Sequence, residues 1–275
     1  MSSLLKVAAF QMATTDEALQ APVGRVAGAG RLQRARKLHG AIDEAAESGA
    51  HVLVVPECAL SGYLPRPDLD FGALARAQDE LSSHAAEQGL WLALGTTTRR
   101  EGRLFNTALL YSPSGELAAS YDKTHLTPQD RPVFAEGADL PVFKLGEWTV
   151  ALQICFDMRF PENWRILRRK GAELVLHMSS ASMGMAWKVP VLDGTMRCRA
   201  AENGMFVVTV NDARAPQMMV SAICDPDGLH LARAELNREM LITAELDRTK
   251  VKDDFLAARR TDLWNRPQHR GLLLE

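Results

Sequence analysis

Residues 148–164 read WTVALQICFDMRFPENW, and this stretch decides the fold class. Trp148 to Ile154 is a short, nearly continuous apolar run, the pattern of a strand covered on both faces. A polar break follows with Cys155 in it. Pro161 then opens an amphipathic stretch that runs to Lys170 and stops at Gly171. Proline in a first helical turn and glycine past the last are ordinary helix punctuation. The unit is strand, reactive loop, helix.

Working outward, the same alternation recurs. Leu4 to Met12 and Val52 to Val55 read as strands, and Ala21 to Gly30 as a loop. Leu32, Ala35, Leu38, Ile42 and Ala45 fall at helical spacing between Arg31 and Ser48, ahead of Gly49. A second helix is expected from Phe71 to Gln88, then a strand from Trp91 to Thr97. Asn106 to Tyr111 and Glu116 to Tyr121 flank Ser112-Pro113-Ser114-Gly115, a hairpin turn sequence. Glu173 to Met178 and Phe206 to Val210 are strands around a helix from Asp193 to Asn203. A second hairpin turns at Asp225-Pro226-Asp227-Gly228, and Met240 to Leu246 is the last strand. Strand–helix units mixed with hairpins predict an α/β sandwich with mixed sheets. No low-complexity linker divides residues 1–275, so one domain is expected, with residues 250–275 as a polar C-terminal tail.

The chain has 275 residues, 47 % of them hydrophobic, enough for a full core without disulfides. Its formal charge of -2 and pI near 6.4 give no reason to expect a nucleic-acid partner. The basic runs Arg31 to Lys37 and Arg165 to Lys170 read as solvated helix faces. No apolar run reaches the roughly 18 residues of a membrane span. Cys58, Cys155, Cys198 and Cys224 form no CxxC pair and have no histidines at zinc spacing, so no metal is expected. A reducing, cytoplasmic setting follows.

Three reactive side chains stand just after predicted strands: Glu57 in VVPECALSGY, Lys123 in SYDKTHL and Cys155 in ALQICFDMRFPE. Strand ends are where layered α/β proteins build sites. The chemistry available to the three is coherent. A thiolate attacks an amide carbonyl once a base has taken its proton. A carboxylate is such a base, and a lysine with the N–H of Phe156 would hold the oxyanion. Adjacent residues on a strand face opposite ways, so Cys58 should turn away from the side that Glu57 faces. Cys198 and Cys224 read as packing residues, and His125 as structural.

These segments, in this order, resemble the Glu-Lys-Cys signature of the nitrilase (carbon–nitrogen hydrolase) superfamily. LFNTALLYSPSGE, MRCRAAENGMFVVTVN, SAICDPDGLHLARA and RRTDLW extend the resemblance from about Leu4 to Trp264. The resemblance implies a four-layer αββα sandwich and a homodimer or higher homo-oligomer, with the helices after Cys155 and near Arg197 to Asn203 at the dimer contact. It implies no cofactor and no metal. It assigns Glu57 as base, Lys123 as oxyanion support and Cys155 as nucleophile. Many members carry a second glutamate after the lysine; here Gln129-Asp130-Arg131 puts Asp130 there, one methylene shorter. Arg159 either pairs with Glu162 or offers its fork to a substrate carboxylate, as in N-carbamoyl-amino-acid amidohydrolases, which DMRFPENWRILRRKGAEL resembles. The implied function is hydrolysis of a small amide, a carboxylate-bearing one among the options, through a cysteine thioester with release of ammonia. Two alternatives are an N-carbamoyl (ureido) amino-acid amidohydrolase and a weakly active or inactive dimeric interaction module, the latter suggested by Asp130 and by MMVSA at residues 218–222.

Overall fold

The computed structural model describes residues 3–13, 27–63, 69–182 and 184–260. In chain order these form β1 (Leu4–Gln11), α1 (Ala27–Glu47), β2 (Val52–Val54), α2 (Phe71–Glu87), β3 (Trp91–Arg100), β4 (Arg103–Tyr111), β5 (Leu117–Asp122), β6 (Phe143–Leu145) and β7 (Trp148–Ile154). A short 3-10 helix, Cys155–Arg159, leads to α3 (Pro161–Arg169), β8 (Leu174–Ser179), α4 (Val189–Asn203), β9 (Phe206–Asn211), β10 (Ala222–Cys224), β11 (His230–Arg233), β12 (Met240–Asp247) and α5 (Asp254–Ala257).

The strands make two six-stranded mixed sheets among the described residues, ordered β12-β1-β2-β3-β4-β5 and β11-β10-β9-β8-β7-β6. The two orders mirror each other. In each sheet the central strands run parallel and the outer ones antiparallel. The parallel centre places several strand ends side by side.

Strand alternation sorts the core into three layers. Val7, Ala9, Val52, Val54 and Ala93 meet Val150, Leu152, Ile154, Leu176 and Val208 between the sheets. The opposite faces of the same strands bury against helices: Leu53, Leu92 and Leu94 under Leu38, Ile42, Leu74 and Leu81 of α1 and α2, and Ala151, Val175 and Val207 under Trp164, Leu167, Leu192 and Met196 of α3 and α4. The central strands are buried on both faces, which is why the sequence shows runs there rather than alternation. The αββα sandwich expected from the resemblance is the observed architecture.

Several details differ from the sequence reading. Residues 27–30 belong to α1, so the expected loop at 21–30 is helical at its end; its other part lies outside the described residues. α4 begins at Val189, four residues early, because Pro190 near its start is a favoured first-turn residue. The three-residue β6 was too short to register. Cys198 is exposed on α4 rather than packed. The basic runs are not all solvated: Arg34 donates to the carbonyls of Leu60 and Ser61, and Arg168 is buried, donating to those of Asn203 and Lys252. That last contact fixes residues next to α5, so the start of the expected tail is folded; residues 261–275 lie outside the described set. Among the described residues no helix is long and apolar enough to cross a membrane.

Candidate active site

Glu57 stands three residues past β2, in a tight turn. Cys58 there takes the left-handed region, φ 52°, uncommon for a side chain with a Cβ. The turn is braced from three sides. Leu60 N–H donates to Gly95 O, Arg34 holds Leu60 O and Ser61 O, and β3 lies directly beneath at Gly95. A Cβ at Gly95 would stand 2.1 Å from Pro56 O and 2.8 Å from Cys58 N, so only glycine lets the strand approach this closely.

Lys123 follows β5, and its N–H still pairs with Asn106 O of β4. Its ammonium is fully buried and reaches Glu57 Oε1 at 2.7 Å and Asp130 Oδ2 at 2.8 Å. A buried charge is tolerable only when paired and hydrogen-bonded, and here two carboxylates do so. Burial alone would push the lysine pKa down, but attraction to Glu57, Cys155 and Asp130 holds it well above its ordinary value. Lys123 is an ammonium.

Asp130 is also fully buried, which rules out an exposed loop aspartate. Its turn is closed reciprocally: Thr127 N–H donates to Asp130 Oδ2 at 2.9 Å, and Asp130 N–H donates to Thr127 Oγ1 at 3.1 Å. Tyr63 donates its hydroxyl to Oδ1 at 2.8 Å. Burial works to raise the Asp130 pKa; Lys123 and these hydrogen bonds outweigh it and lower it. Burial and the negative charges of Glu57 and Asp130 drive the Tyr63 phenol upward, so it stays a neutral donor. Phe134 anchors the loop by packing with Leu126 on Cys58.

Cys155 comes from the other sheet, at the end of β7. It too is left-handed, φ 46°, and it keeps partial exposure. Burial and the nearby Glu57 carboxylate push its thiol up to about 12, against the pull of Lys123. The buried Ser179 hydroxyl, which has no well-formed hydrogen bond elsewhere, also favours the thiolate. The resting thiol is therefore neutral. Two carboxylates and one ammonium already leave the cluster with one net negative charge, and a thiolate would add another.

The second sheet also reaches Glu57 directly, since Ser180 N–H donates to its Oε2 at 2.9 Å. Sequence reasoning missed this contact and two others. Asn106 Nδ2 donates to Glu57 Oε1 at 2.7 Å, while its Oδ1 accepts from the Cys58 thiol at 3.5 Å. Cys58 and Glu57 thus both reach the Asn106 amide, and because Cys58 sits in a turn rather than a strand the opposed faces expected from strand alternation do not apply. Asp157, fully buried, accepts from Ile154 N–H, Tyr121 OH, Thr124 Oγ1 and His125 N–H, tying the lysine loop to the cysteine turn. The available signal was proximity alone: Asn106 lies in LFNTALLY and Asp157 two residues past Cys155. His125 is structural, stacked on Phe160 at 3.7 Å and 3.1 Å from Asp157 Oδ1. Arg159 is exposed and makes no ion pair with Glu162; its guanidinium lies 5.9 Å from the Phe156 ring centroid. Phe156 is in the first turn of the 3-10 helix, where backbone N–H groups lack helical acceptors. Among the described residues no cluster of His, Cys, Asp or Glu could hold a metal.

A model of the family described as Carbon-nitrogen hydrolase matches residues 6–254. A Pseudomonas protegens protein described as "Hydrolase in pqqF 5'region" is 35 % identical over 257 residues, covering 86 % of each chain. The omega-amidase NIT2 of Xenopus tropicalis is 30 % identical over 78 % of this chain and 82 % of its own. Among solved structures, an amidase from Nesterenkonia sp. AN1 carrying the acetamide moiety of fluoroacetamide on its active-site cysteine superposes with a TM-score of 0.80. It is 24 % identical and covers 98 % of this chain and 97 % of that one.

Proposed function

The chain belongs to the carbon–nitrogen hydrolase family, and on that premise we propose that it hydrolyses the terminal amide of a small molecule through a thioester on Cys155, releasing ammonia. The observation that carries this reading is the buried Lys123 ammonium clamped between Glu57 and Asp130, next to a thiol of raised pKa.

The steps follow from the charges. As Sγ of Cys155 attacks the amide carbon, Glu57 takes the thiol proton, so the cluster's net charge does not change. The carbonyl oxygen becomes an oxyanion, held by the Lys123 ammonium and the Phe156 N–H. Glu57 then gives its proton to the amide nitrogen, the C–N bond breaks, and ammonia leaves a thioester. Water attacks that thioester while Glu57 accepts its proton; the C–S bond breaks and the proton returns to sulfur. Asp130 keeps Lys123 charged and in place but takes no proton. Lys123 and the Asn106 amide fix Oε1 of Glu57, and Ser180 N–H fixes Oε2.

Arg159 favours a substrate with a carboxylate, because the guanidinium is exposed on the helix that begins at Cys155 and is not spent on Glu162. The omega-amidase relative makes the amides of dicarboxylic acids the first compounds to try. The same cation would suit an N-carbamoyl amino acid, so both belong in one panel, read by ammonia release. Turnover of neither class by the parent protein, with Cys155 intact, would refute the reading and leave the interaction-module alternative. The reading includes a homodimer through the α3–α4 side, where Ile166, Trp187 and Val191 are exposed; a monomer mass in sedimentation would remove that part.

A further inference from the structure

The nucleophile turn has one support that the chemistry above does not use. His177 lies in β8, fully buried, on the face that packs against α3 and α4, its ring 6.0 Å from that of Trp164. Its Nε2 is 3.1 Å from the carbonyl oxygen of Cys155. A carbonyl only accepts, so Nε2 carries the hydrogen. The other ring nitrogen, Nδ1, is buried with no partner, and so is the hydroxyl of Thr209, its neighbour in register on β9. A buried histidine flanked in register by Gln153 and Thr209, with one nitrogen unsatisfied, is an expensive way to fill space. Its single hydrogen bond goes to the residue whose backbone is left-handed.

We propose that His177 is a positioning residue for the nucleophile: by holding the Cys155 carbonyl oxygen it fixes the peptide plane between Cys155 and Phe156. A trans peptide is planar, and its C=O and N–H point in opposite directions. Drawing that carbonyl toward the helix-facing side of the sheet therefore aims the Phe156 N–H the other way. The same plane sets ψ of Cys155, so the hydrogen bond also steadies the φ 46° conformation that presents Sγ. Burial holds the imidazole neutral, its pKa pushed down to about 4, so the single-donor form persists throughout the range where the enzyme would work. No proton passes through His177. It acts on the reaction through the orientation of its neighbours.

Two amides separate donor reach from mere packing. In His177→Gln the side-chain nitrogen can occupy the place of Nε2; in His177→Asn it stops near the place of Nδ1 and cannot reach the carbonyl. The inference rests on the amidase reading for one measurement only, steady-state turnover of the best amide in the panel. There His177→Asn should lower kcat about 10- to 100-fold with KM within about threefold, the size expected for displacement by a fraction of an ångström to 1 Å. His177→Gln should recover most of the loss. The other measurement needs no substrate: the second-order rate of Cys155 alkylation by iodoacetamide, followed by peptide mass spectrometry from pH 6 to 10. The parent and His177→Gln should share one pH profile, and His177→Asn should depart from it. Thermal melts of all three proteins show whether each is folded. If His177→Asn melts as a folded protein and matches the parent in kcat and in alkylation profile, the proposal is overturned. It is equally overturned if folded Gln and Asn variants lose both properties to the same degree. Should the parent turn over no amide while the alkylation profiles still split as described, the amidase reading fails and the positioning role stands. If both amide variants are unfolded, the parent decides through nitrogen NMR of its histidines: a His177 ring that carries its hydrogen on Nε2 across neutral pH supports the bond to the Cys155 carbonyl, and a ring that carries it on Nδ1 overturns it.

Discussion

Two strand ends in this molecule carry a cysteine in the left-handed region, and they have opposite fates. Cys58 follows β2 in the first sheet, φ 52°; Cys155 follows β7 in the second, φ 46°. Both thiols are raised above their ordinary pKa by burial and by the Glu57 carboxylate. The difference lies in what covers them. Cys58 is sealed by Leu126 and Phe134, and its proton is committed to Asn106. Cys155 keeps partial exposure and lies within the electrostatic reach of Glu57 and Lys123. On the proposed reading a left-handed turn beside a carboxylate is not enough to make a nucleophile, and access is what separates the two cysteines.

The largest test of that contrast is removal of each thiol. Cys155→Ala is expected to cut amide turnover by at least about 10⁴-fold, the scale of losing a nucleophile. Cys58→Ser should leave turnover within about fivefold, since the hydroxyl replaces the thiol atom for atom and can still donate to Asn106. Equal losses in the two variants would erase the distinction drawn here.

Next in size is Asp130→Asn. One of the two charges that hold a fully buried ammonium disappears, so turnover should fall about 100-fold and stability by roughly 3 kcal/mol. Chemical denaturation and ammonia release measure the two effects. Asp130→Glu sharpens the point. The shorter side chain already reaches Lys123 at 2.8 Å inside a turn closed by Thr127 and Tyr63. An added methylene has no room, and a loss of about tenfold is expected, with overpacking costing about 1–3 kcal/mol. Higher turnover in the glutamate variant would show that the loop had not compensated for its missing methylene.

Gly95→Ala tests the Glu57 side alone. The new methyl must displace Pro56 O and Cys58 N, tilting the turn. A loss of about tenfold in kcat is expected, because a shift well under 1 Å reaches the base. The alkylation rate of Cys155 at pH 10 should change less than kcat does.

Much of this was legible in the sequence, for definable reasons. Val52 to Val54 and Trp148 to Ile154 are apolar on both faces because each strand is covered by the other sheet and by helices. That burial leaves a signal that periodicity can read. Glu57, Lys123 and Cys155 stand where such runs end. The supports of the site left no comparable trace. Asn106, Ser180, Asp157 and Gly95 act through distances set by how the sheets stack, which no local pattern encodes. Asp130 was legible only as a departure from a family motif. Arg34 was misread because a basic residue on a helix is normally solvated, and here the first turns of α1 lie against the Glu57 turn.

The smallest expected effect comes from His177, and it appears in stability rather than rate. Its folded pKa of about 4 lies below the ordinary 6.5, so the unfolded chain binds a proton first as pH falls. Stability is whole above pH 6.5 and declines as pH falls toward 4. Between pH 7.5 and 5.5 this group should cost about 1 kcal/mol, seen by urea denaturation and absent in His177→Gln. A pH-independent difference between the two proteins would count against a buried neutral ring.

The mirrored order of the two sheets has a consequence for how the chain comes to fold. Glu57 and Lys123 belong to one sheet and Cys155 to the other, and Ser180 reaches Glu57 across 123 residues of chain. The first sheet is itself unfinished until β12, the last strand, pairs with β1. Contacts so distant along the chain form late and slowly. On refolding, helices and hairpins should therefore return first, and hydrolysis only when the two halves dock. Catalysis would then serve as a clock for the final assembly step, silent in every intermediate however much secondary structure it had already regained.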